Sequence, residues 1–125
     1  MQQILLDTNF ILSCIRNKVD LFEELYFRGY QIIIPEQIIN EIEKIKISVK
    51  KLRFRKEAEL ALKILKNNKF QKINLEGKNV DNAIINYSKQ NPDVTIATLD
   101  DEIRRKLKKK SKVMVLRNRN TLEVM

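Results

Sequence analysis

The chain has 125 residues, and its 25 Lys and Arg against 16 Asp and Glu give a formal net charge of +9. It has no His, a single Cys at position 14 and two widely separated Gly. These counts exclude His-based nucleophilic catalysis, zinc sites that need His, thiolate metal clusters, an internal disulfide and glycine-rich phosphate loops.

The length predicts one domain over residues 1–125, because domains usually hold about 100–200 residues. No apolar run approaches the ~18 residues needed to cross a membrane, and the first residues lack the pattern of a signal peptide. A lone Cys is typical of a reducing compartment. We therefore expect a cytoplasmic protein that makes no membrane contact.

In chain order, short apolar segments predict strands over residues 3–6, 31–34, 71–75, 94–98 and 112–116. Between them, apolar residues recur at helical spacing over residues 21–25, 38–45, 52–66, 80–87 and 103–107. Pro35 is expected to stop the second strand and to occupy the first turn of the helix that follows, and residues 47–51 are expected to form a loop. Strands separated by helices predict an α/β fold, a three-layer α/β/α sandwich around a parallel sheet of about five strands.

Acidic residues directly follow two of the predicted strands. Asp7 comes after the first strand, and Asp100, Asp101 and Glu102 come after the strand over residues 94–98. In an open parallel sheet, ligands bind beyond the carboxyl ends of the strands, near the point where the strand order reverses. Two further acids are candidates for the same edge: Glu41 flanks an apolar helix stripe, and Asp81 lies in the first turn of its helix.

Each of these acids also has a purely structural explanation. Asp7, Thr8 or Asp100 could cap the helix that follows it, and Asp81 is favoured near a helix N-terminus by the macrodipole alone. Glu41 could be an exposed residue paired with a Lys one turn away. Taken together, however, crowded carboxylates repel one another unless a cation compensates, and in a chain without His we expect Mg²⁺ or Mn²⁺.

The positive charge is concentrated in the second part of the chain. Residues 1–43 carry 3 basic and 7 acidic side chains, whereas residues 44–125 carry 22 basic and 9 acidic ones. Two stretches dominate, residues 44–72 and 104–112. Lys-rich helices can simply be solvated faces, but two such runs on one small domain favour a polyanionic partner, a nucleic acid.

Four segments, taken in order, resemble the motifs of the PIN-domain ribonucleases. LLDTN at residues 5–9 resembles the opening strand motif, and PEQIINEI at residues 35–42 resembles a proline-started helix with an acid about two turns in. Asp81 with Ala83 and Ile84 resembles the third motif, and TLDDE at residues 98–102 the fourth. Residues 97–109 look like the small-subunit rRNA-processing branch, and the stand-alone toxins of toxin–antitoxin pairs are the close relatives.

The resemblance implies a metal-dependent endoribonuclease that leaves a 5′-phosphate and a 3′-hydroxyl. It implies that the divalent metal is held by Asp7, Glu41, Asp81 and Asp100, with Glu102 as a further ligand or as an acid beside the ligands, and that Thr98 and Asn9 orient carboxylates. Glu102 stands where the family usually has Asp. Basic side chains would then carry the RNA, and our candidates are Arg104, Arg105, Lys108, Lys109, Arg53 and Arg55, with Phe54 as a surface on which a base could stack.

Other functions stay open on the sequence alone. A receiver domain would need two adjacent acids after the first strand and an Asp after the third, but the third strand is followed by Glu76. A PIN-like domain that binds rRNA or its precursor without cleaving it, as a ribosome-assembly factor, is the more serious alternative, and a toxin with an antitoxin partner is another. A homodimer through the apolar surface of the first two helices is also expected.

Overall fold

A computed structural model of the chain describes residues 1–48, 50–107 and 111–125. Within these ranges the strands are β1 (Gln2–Leu6), β2 (Tyr30–Pro35), β3 (Gln71–Ile73), β4 (Thr95–Ala97), β5 (Val113–Arg117) and β6 (Thr121–Val124). The helices are α1 (Thr8–Arg16), α2 (Leu21–Phe27), α3 (Glu36–Ser48), α4 (Leu52–Lys66), α5 (Val80–Gln90) and α6 (Asp101–Lys106).

The strands form one sheet in the order β3-β2-β1-β4-β5-β6, in which β6 alone is antiparallel to its neighbour. The chain moves outward from β1 through β2 to β3, then returns to the other side of β1 through β4 and β5. Because crossovers between parallel strands are right-handed, this reversal places α1–α4 on one face and α5 and α6 on the other. The contacts among α1–α4, and those between α5 and α6, agree with that arrangement. The predicted α/β sandwich is confirmed.

The central strands are buried on both faces, as expected for a parallel sheet that is covered by helices. Runs of fully buried residues occupy β1 (Ile4, Leu5, Leu6) and β2 (Ile32, Ile33, Ile34). Cys14 of α1 is also buried, and this burial raises the pKa of its thiol to about 12, so it behaves as a small apolar side chain. None of the described helices has the length and apolar character to cross a membrane.

The structure corrects three details of the predicted elements. A sixth strand, β6, follows β5 after a three-residue turn over residues 118–120, in which Asn118 and Arg119 have positive φ and the Gly that usually marks such a turn is absent. Pro35 is the last residue of β2 rather than the first turn of α3, because a strand end loses only one ladder hydrogen bond to proline. The first two residues of the predicted loop over residues 47–51 belong to α3, which continues to Ser48, and residue 49 lies outside the described residues.

Candidate active site

The topology brings the four predicted site acids to one edge of the sheet. Asp7 follows β1 and Asp100 follows β4, so both lie beyond the carboxyl ends of neighbouring parallel strands. Glu41 lies in the second turn of α3, which starts at the end of β2. Asp81 is in the first turn of α5, a helix that returns to the start of β4 and therefore begins at the same edge. This edge is centred on β1, where the strand order reverses.

Asp7 is the most buried of these acids, with only 6% of its surface exposed. Its Oδ1 accepts a hydrogen bond from the backbone N–H of Thr8 at 2.8 Å, and its Oδ2 accepts one from the Thr98 hydroxyl at 2.8 Å. Burial raises the pKa of Asp7 to about 6; the two hydrogen bonds oppose that rise, while the charges of Glu41 and Asp81 add to it. The site thus holds a buried carboxylate under repulsion from its neighbours.

Thr8 ties the carboxyl end of β1 to α3. Its hydroxyl donates to Oε2 of Glu41 at 3.0 Å, and the threonine itself is buried. Glu41 is therefore oriented toward the sheet edge, instead of pairing with the Lys residues of its own helix. The sequence interpretation missed the role of Thr8, although its position between Asp7 and Asn9 in the same motif was the signal that pointed to it.

Asp100 is coupled to Asp7 through Thr98. The Thr98 hydroxyl donates to Asp7 and accepts from the backbone N–H of Asp100 at 3.1 Å. Asp100 also caps α6, since its Oδ1 accepts from the N–H groups of Glu102 and Ile103. Asp100 can therefore be both the cap of α6 and a candidate metal ligand. Its Oδ1 caps the helix, and no described residue donates a hydrogen bond to its Oδ2.

Two of the predicted site residues, Glu102 and Asn9, have exposed side chains. The side chain of Glu102 is exposed in the first turn of α6. The side chain of Asn9 is also exposed, and within residues 1–48, 50–107 and 111–125 it makes no hydrogen bond to a carboxylate. Both assignments stay predictions. Thr8 and Thr98 are the residues that orient carboxylates in this structure.

The donor set suits a hard divalent cation, although it does not form a closed cage. No three acidic side chains among the described residues converge closely enough to enclose an ion. Mg²⁺ does not require such convergence, because it keeps several waters and usually binds through one or two carboxylates together with substrate phosphates. The buried oxygens of Asp7, beside the charges of Glu41 and Asp81, fit that mode of binding.

Basic side chains occupy the last turn of α6. Arg104 is half-buried and pairs with Asp101, and Arg105 is exposed, with its Nε donating to the backbone carbonyl of Asp101 at 3.4 Å. Lys108 and Lys109, the other two residues predicted here, lie outside the described residues. The two arginines follow the acidic edge directly, so they lie within one short helix of Asp100.

A second basic cluster surrounds Phe54 at the start of α4. Three cations lie within 6 Å of its ring centroid: Arg53 at 4.9 Å, Arg16 at 5.6 Å and Lys51 at 5.8 Å. Arg16 belongs to α1 and is held by Glu57 at 2.9 Å. We call Phe54 and these three cations the Phe54 cluster. Arg55, half-buried on the same helix, has a buried Nε with no hydrogen-bond partner in the described part of the chain. Arg16 was not predicted, because its sequence position is far from the basic run.

The sheet order and the acidic edge define an α/β domain with a carboxylate site at its topological switch point. The sequence identifies the family of this domain. Residues 4–119 match the PIN like domain family, and the chain belongs to that family. The resemblance on which the sequence interpretation relied is thereby confirmed.

Two curated proteins are similar over most of the chain. Ribonuclease VapC4 of Methanocaldococcus jannaschii is 27% identical over 128 residues, which cover 99% of this chain and 97% of that protein. The rRNA-processing protein fcf1 of Schizosaccharomyces pombe is 31% identical over 111 residues. That match covers 85% of this chain and 53% of fcf1, so the chain spans about half the length of that relative.

Solved structures show the same fold. The PIN domain endonuclease Utp24 matches with a TM-score of 0.79 and 25% identity, over 98% of this chain and 90% of that one. VapBC2 from Rickettsia felis, solved with a DNA fragment from its promoter, matches with a TM-score of 0.59 and 15% identity, over 91% of this chain and 98% of that one. At that identity, the second match shows only the fold.

Proposed function

We propose that this protein is a metal-dependent endoribonuclease that uses Mg²⁺ or Mn²⁺ to hydrolyse phosphodiester bonds in RNA. The observation that carries the proposal is Asp7, a buried carboxylate at the topological switch point whose pKa is raised to about 6 by burial and by its acidic neighbours. Such crowding is unfavourable in the metal-free chain, and a bound cation would offset it. The ribonuclease and endonuclease activities named for VapC4 and Utp24 support this assignment.

The proposed ligands are Asp7, Glu41, Asp81 and Asp100, with Glu102 close to the last of them. A bound divalent cation would supply a water of lowered pKa and neutralise charge on the phosphate. The chain itself orients the carboxylates: Thr98 and the Thr8 backbone hold Asp7, the Thr8 hydroxyl holds Glu41, and the start of α6 holds Asp100. This arrangement needs no histidine, in agreement with the composition.

The basic surfaces are proposed to hold the RNA backbone. Arg104 and Arg105, with Lys108 and Lys109 beyond them in sequence, would offset the repulsion between an acidic pocket and a phosphate chain. Arg53 and Arg55 at the start of α4 form the second proposed surface. Because three cations already lie around the ring of Phe54, we propose that this residue gathers positive charge rather than stacking on a base.

Precursor rRNA is the proposed substrate to test first, and the cytoplasm the proposed site of action. The likeness to the rRNA-processing protein fcf1 supports this choice. A toxin ribonuclease with an antitoxin partner is the second candidate, favoured by the match to VapC4 over 97% of that protein. A homodimer is also proposed, and the surface that would support it is α2, where Phe27 is 92% exposed.

The test is cleavage of labelled precursor rRNA and of unrelated single-stranded RNA in Mg²⁺, Mn²⁺ or EDTA. The wild-type chain is compared with Asp7→Asn and Asp100→Asn, and with Asp93→Asn as a control at an exposed acid away from the site. We expect metal-dependent cleavage in wild type and control, and losses of at least about 100-fold in the two site variants, with RNA binding retained.

Three other results would each change the assignment. Equal activity in all four proteins would identify a contaminating nuclease. Binding without cleavage in any metal would favour the non-catalytic ribosome-assembly factor. Cleavage of unrelated RNA as efficient as cleavage of the precursor would favour the toxin over the processing enzyme.

A further inference from the structure

The turn between β5 and β6 places an arginine in a backbone conformation that glycine would adopt more easily. The turn is closed by the N–H of Asn120, which donates to the carbonyl of Arg117 at 3.1 Å. Its two central residues both have positive φ, 50° at Asn118 and 69° at Arg119. A β-turn whose two central residues both have positive φ prefers Asn-Gly at those positions. Asn118 suits its position, whereas Arg119 is strained there, and strain of this kind is concentrated at functional positions.

The turn lies at the same edge of the sheet as the carboxylates. β5 is parallel to β4, and Met114 of β5 is level with Ala97, the last residue of β4. β5 continues for three residues beyond that level, about 10 Å at 3.3 Å per residue. Because β4 separates β1 from β5 in the described sheet, the turn is displaced from the end of β1 by about two strand spacings, roughly 10 Å. The hairpin turn therefore extends beyond the edge of the sheet that holds Asp7 and Asp100.

The two arginines of the hairpin differ in their partners. The Nε of Arg117 pairs with Oε2 of Glu123 at 3.1 Å, which neutralises its charge. Arg119 is exposed, and it makes neither an ion pair nor a side-chain hydrogen bond with any residue in the described ranges. A strained backbone thus presents an uncompensated guanidinium at the rim of the acidic site.

We propose that Arg119 binds a backbone phosphate of the RNA substrate, away from the phosphate that is cleaved, and so positions the strand across the carboxylate edge. The guanidinium fork matches two phosphate oxygens, which makes arginine suited to this task. The inference rests on the proposed RNA substrate and adds a positioning residue to it. Replacing Arg119 by glycine should then relieve strain and weaken RNA binding at the same time.

The test compares Arg119→Gly with Lys18→Gly. Lys18 is also a non-glycine residue with positive φ, 58°, but it follows the end of α1, at the opposite edge of the sheet. Each variant loses one positive charge and relieves one strained residue, so each should raise Tm by about 2–5 °C. RNA affinity is measured in Ca²⁺, to prevent cleavage, over a range of salt concentrations.

We expect Arg119→Gly to lower RNA affinity several-fold. The slope of log K against log salt should also become less negative by about 0.7–0.9, which is the change for one lost phosphate contact. Lys18→Gly should leave the RNA affinity and the salt slope unchanged, and Arg119→Lys should keep the wild-type slope. If wild type binds RNA and Arg119→Gly has the same slope and affinity, the inference is wrong while the proposed function stands. If wild type binds no RNA, both are overturned.

Discussion

The hydroxyl of Thr98 donates a hydrogen bond to Oδ2 of Asp7 at 2.8 Å, joining the ends of β4 and β1 across 91 positions of sequence. The same hydroxyl oxygen accepts the backbone N–H of Asp100, so one threonine positions two of the proposed ligands. Thr98 is fully buried, and its bond favours the charged form of Asp7 against the effect of burial.

Replacing Thr98 by valine, which keeps the shape and removes the hydroxyl, should therefore raise the pKa of Asp7 further above 6. At a metal concentration below saturation, where the proton and the cation compete for Asp7, we expect cleavage to fall at least about tenfold at pH 6.5 and less at pH 8.5, where Asp7 is ionised in both proteins. The free energy of unfolding should fall by about 1–3 kcal/mol, because the Asp100 N–H loses its acceptor. The measurement is kcat/KM against pH.

Thr95→Val is the matched control, since Thr95 is also almost fully buried and lies at the start of β4, the strand that Thr98 directly follows. It should leave the pH profile in place. A uniform loss for Thr98→Val at all pH values would contradict the proposed effect on Asp7 and would indicate a purely structural role for the hydroxyl.

In the metal-free protein, Asp7 is predicted to reduce stability at neutral pH. Its pKa is 3.8 in the unfolded chain and about 6 in the folded one, so the folded state binds the proton more tightly. The unfavourable contribution is absent below about pH 4, grows as pH rises to 6 and is constant above that, at about 3 kcal/mol. Asp7→Asn should remove it, raising the stability measured by urea unfolding in EDTA at pH 7.5 but not at pH 4.

Divalent metal should make wild type more stable than Asp7→Asn at pH 7.5, the reverse of the order expected in EDTA. Mn²⁺ or Mg²⁺ would stabilise wild type at pH 7.5, because the metal binds the folded state, and would leave Asp7→Asn unchanged. A variant that is less stable than wild type in EDTA at pH 7.5 would contradict the repulsion argument. Equal stabilisation of both proteins by metal would show that Asp7 is not a ligand.

The sequence was sufficient to predict five of the six described strands, the helices between them and the edge that carries the acids, because these follow from apolar periodicity and from the position of Asp7 and Asp100 at strand ends. The sequence was insufficient to predict features that depend on contacts between residues far apart in the chain. The Thr8–Glu41 bond joins residues 33 positions apart, and the position of Arg16 beside Phe54 depends on how α1 packs against α4. The hairpin turn was missed because Arg119 occupies the place where a glycine would have indicated it.

Glu41 is predicted to act through its charge rather than through its hydrogen bond. Glu41→Gln keeps an oxygen that accepts from the Thr8 hydroxyl, so the fold should be retained and the free energy of unfolding should change by less than about 1 kcal/mol. Cleavage should fall at least about 100-fold, since a ligand charge is lost. Glu43→Gln, an exposed acid on the same helix, should stay within about twofold of wild type. Unfolding of Glu41→Gln at room temperature would instead mark Glu41 as a structural residue.

The Phe54 cluster is predicted to bind RNA through charge that the ring holds in place. Phe54→Leu keeps much of the apolar volume but removes the attraction that gathers Arg16, Lys51 and Arg53. RNA affinity should fall a few-fold at about 0.1 M salt, and the difference from wild type should vanish toward 1 M, where electrostatic contributions are screened.

A base stacked on Phe54 would behave differently, because stacking is worth about 1–3 kcal/mol per base and depends little on salt. A loss of affinity that persists toward 1 M salt would therefore establish stacking and contradict the proposal that the ring gathers charge. Phe27→Leu is the control: this phenylalanine is 92% exposed on α2, leucine keeps the apolar surface proposed there for a homodimer, and no cation–π contact involves Phe27 in the described part of the chain. Its RNA affinity should equal that of wild type at every salt concentration, so that a change confined to Phe54→Leu reports on the cluster and not on the loss of an aromatic ring as such.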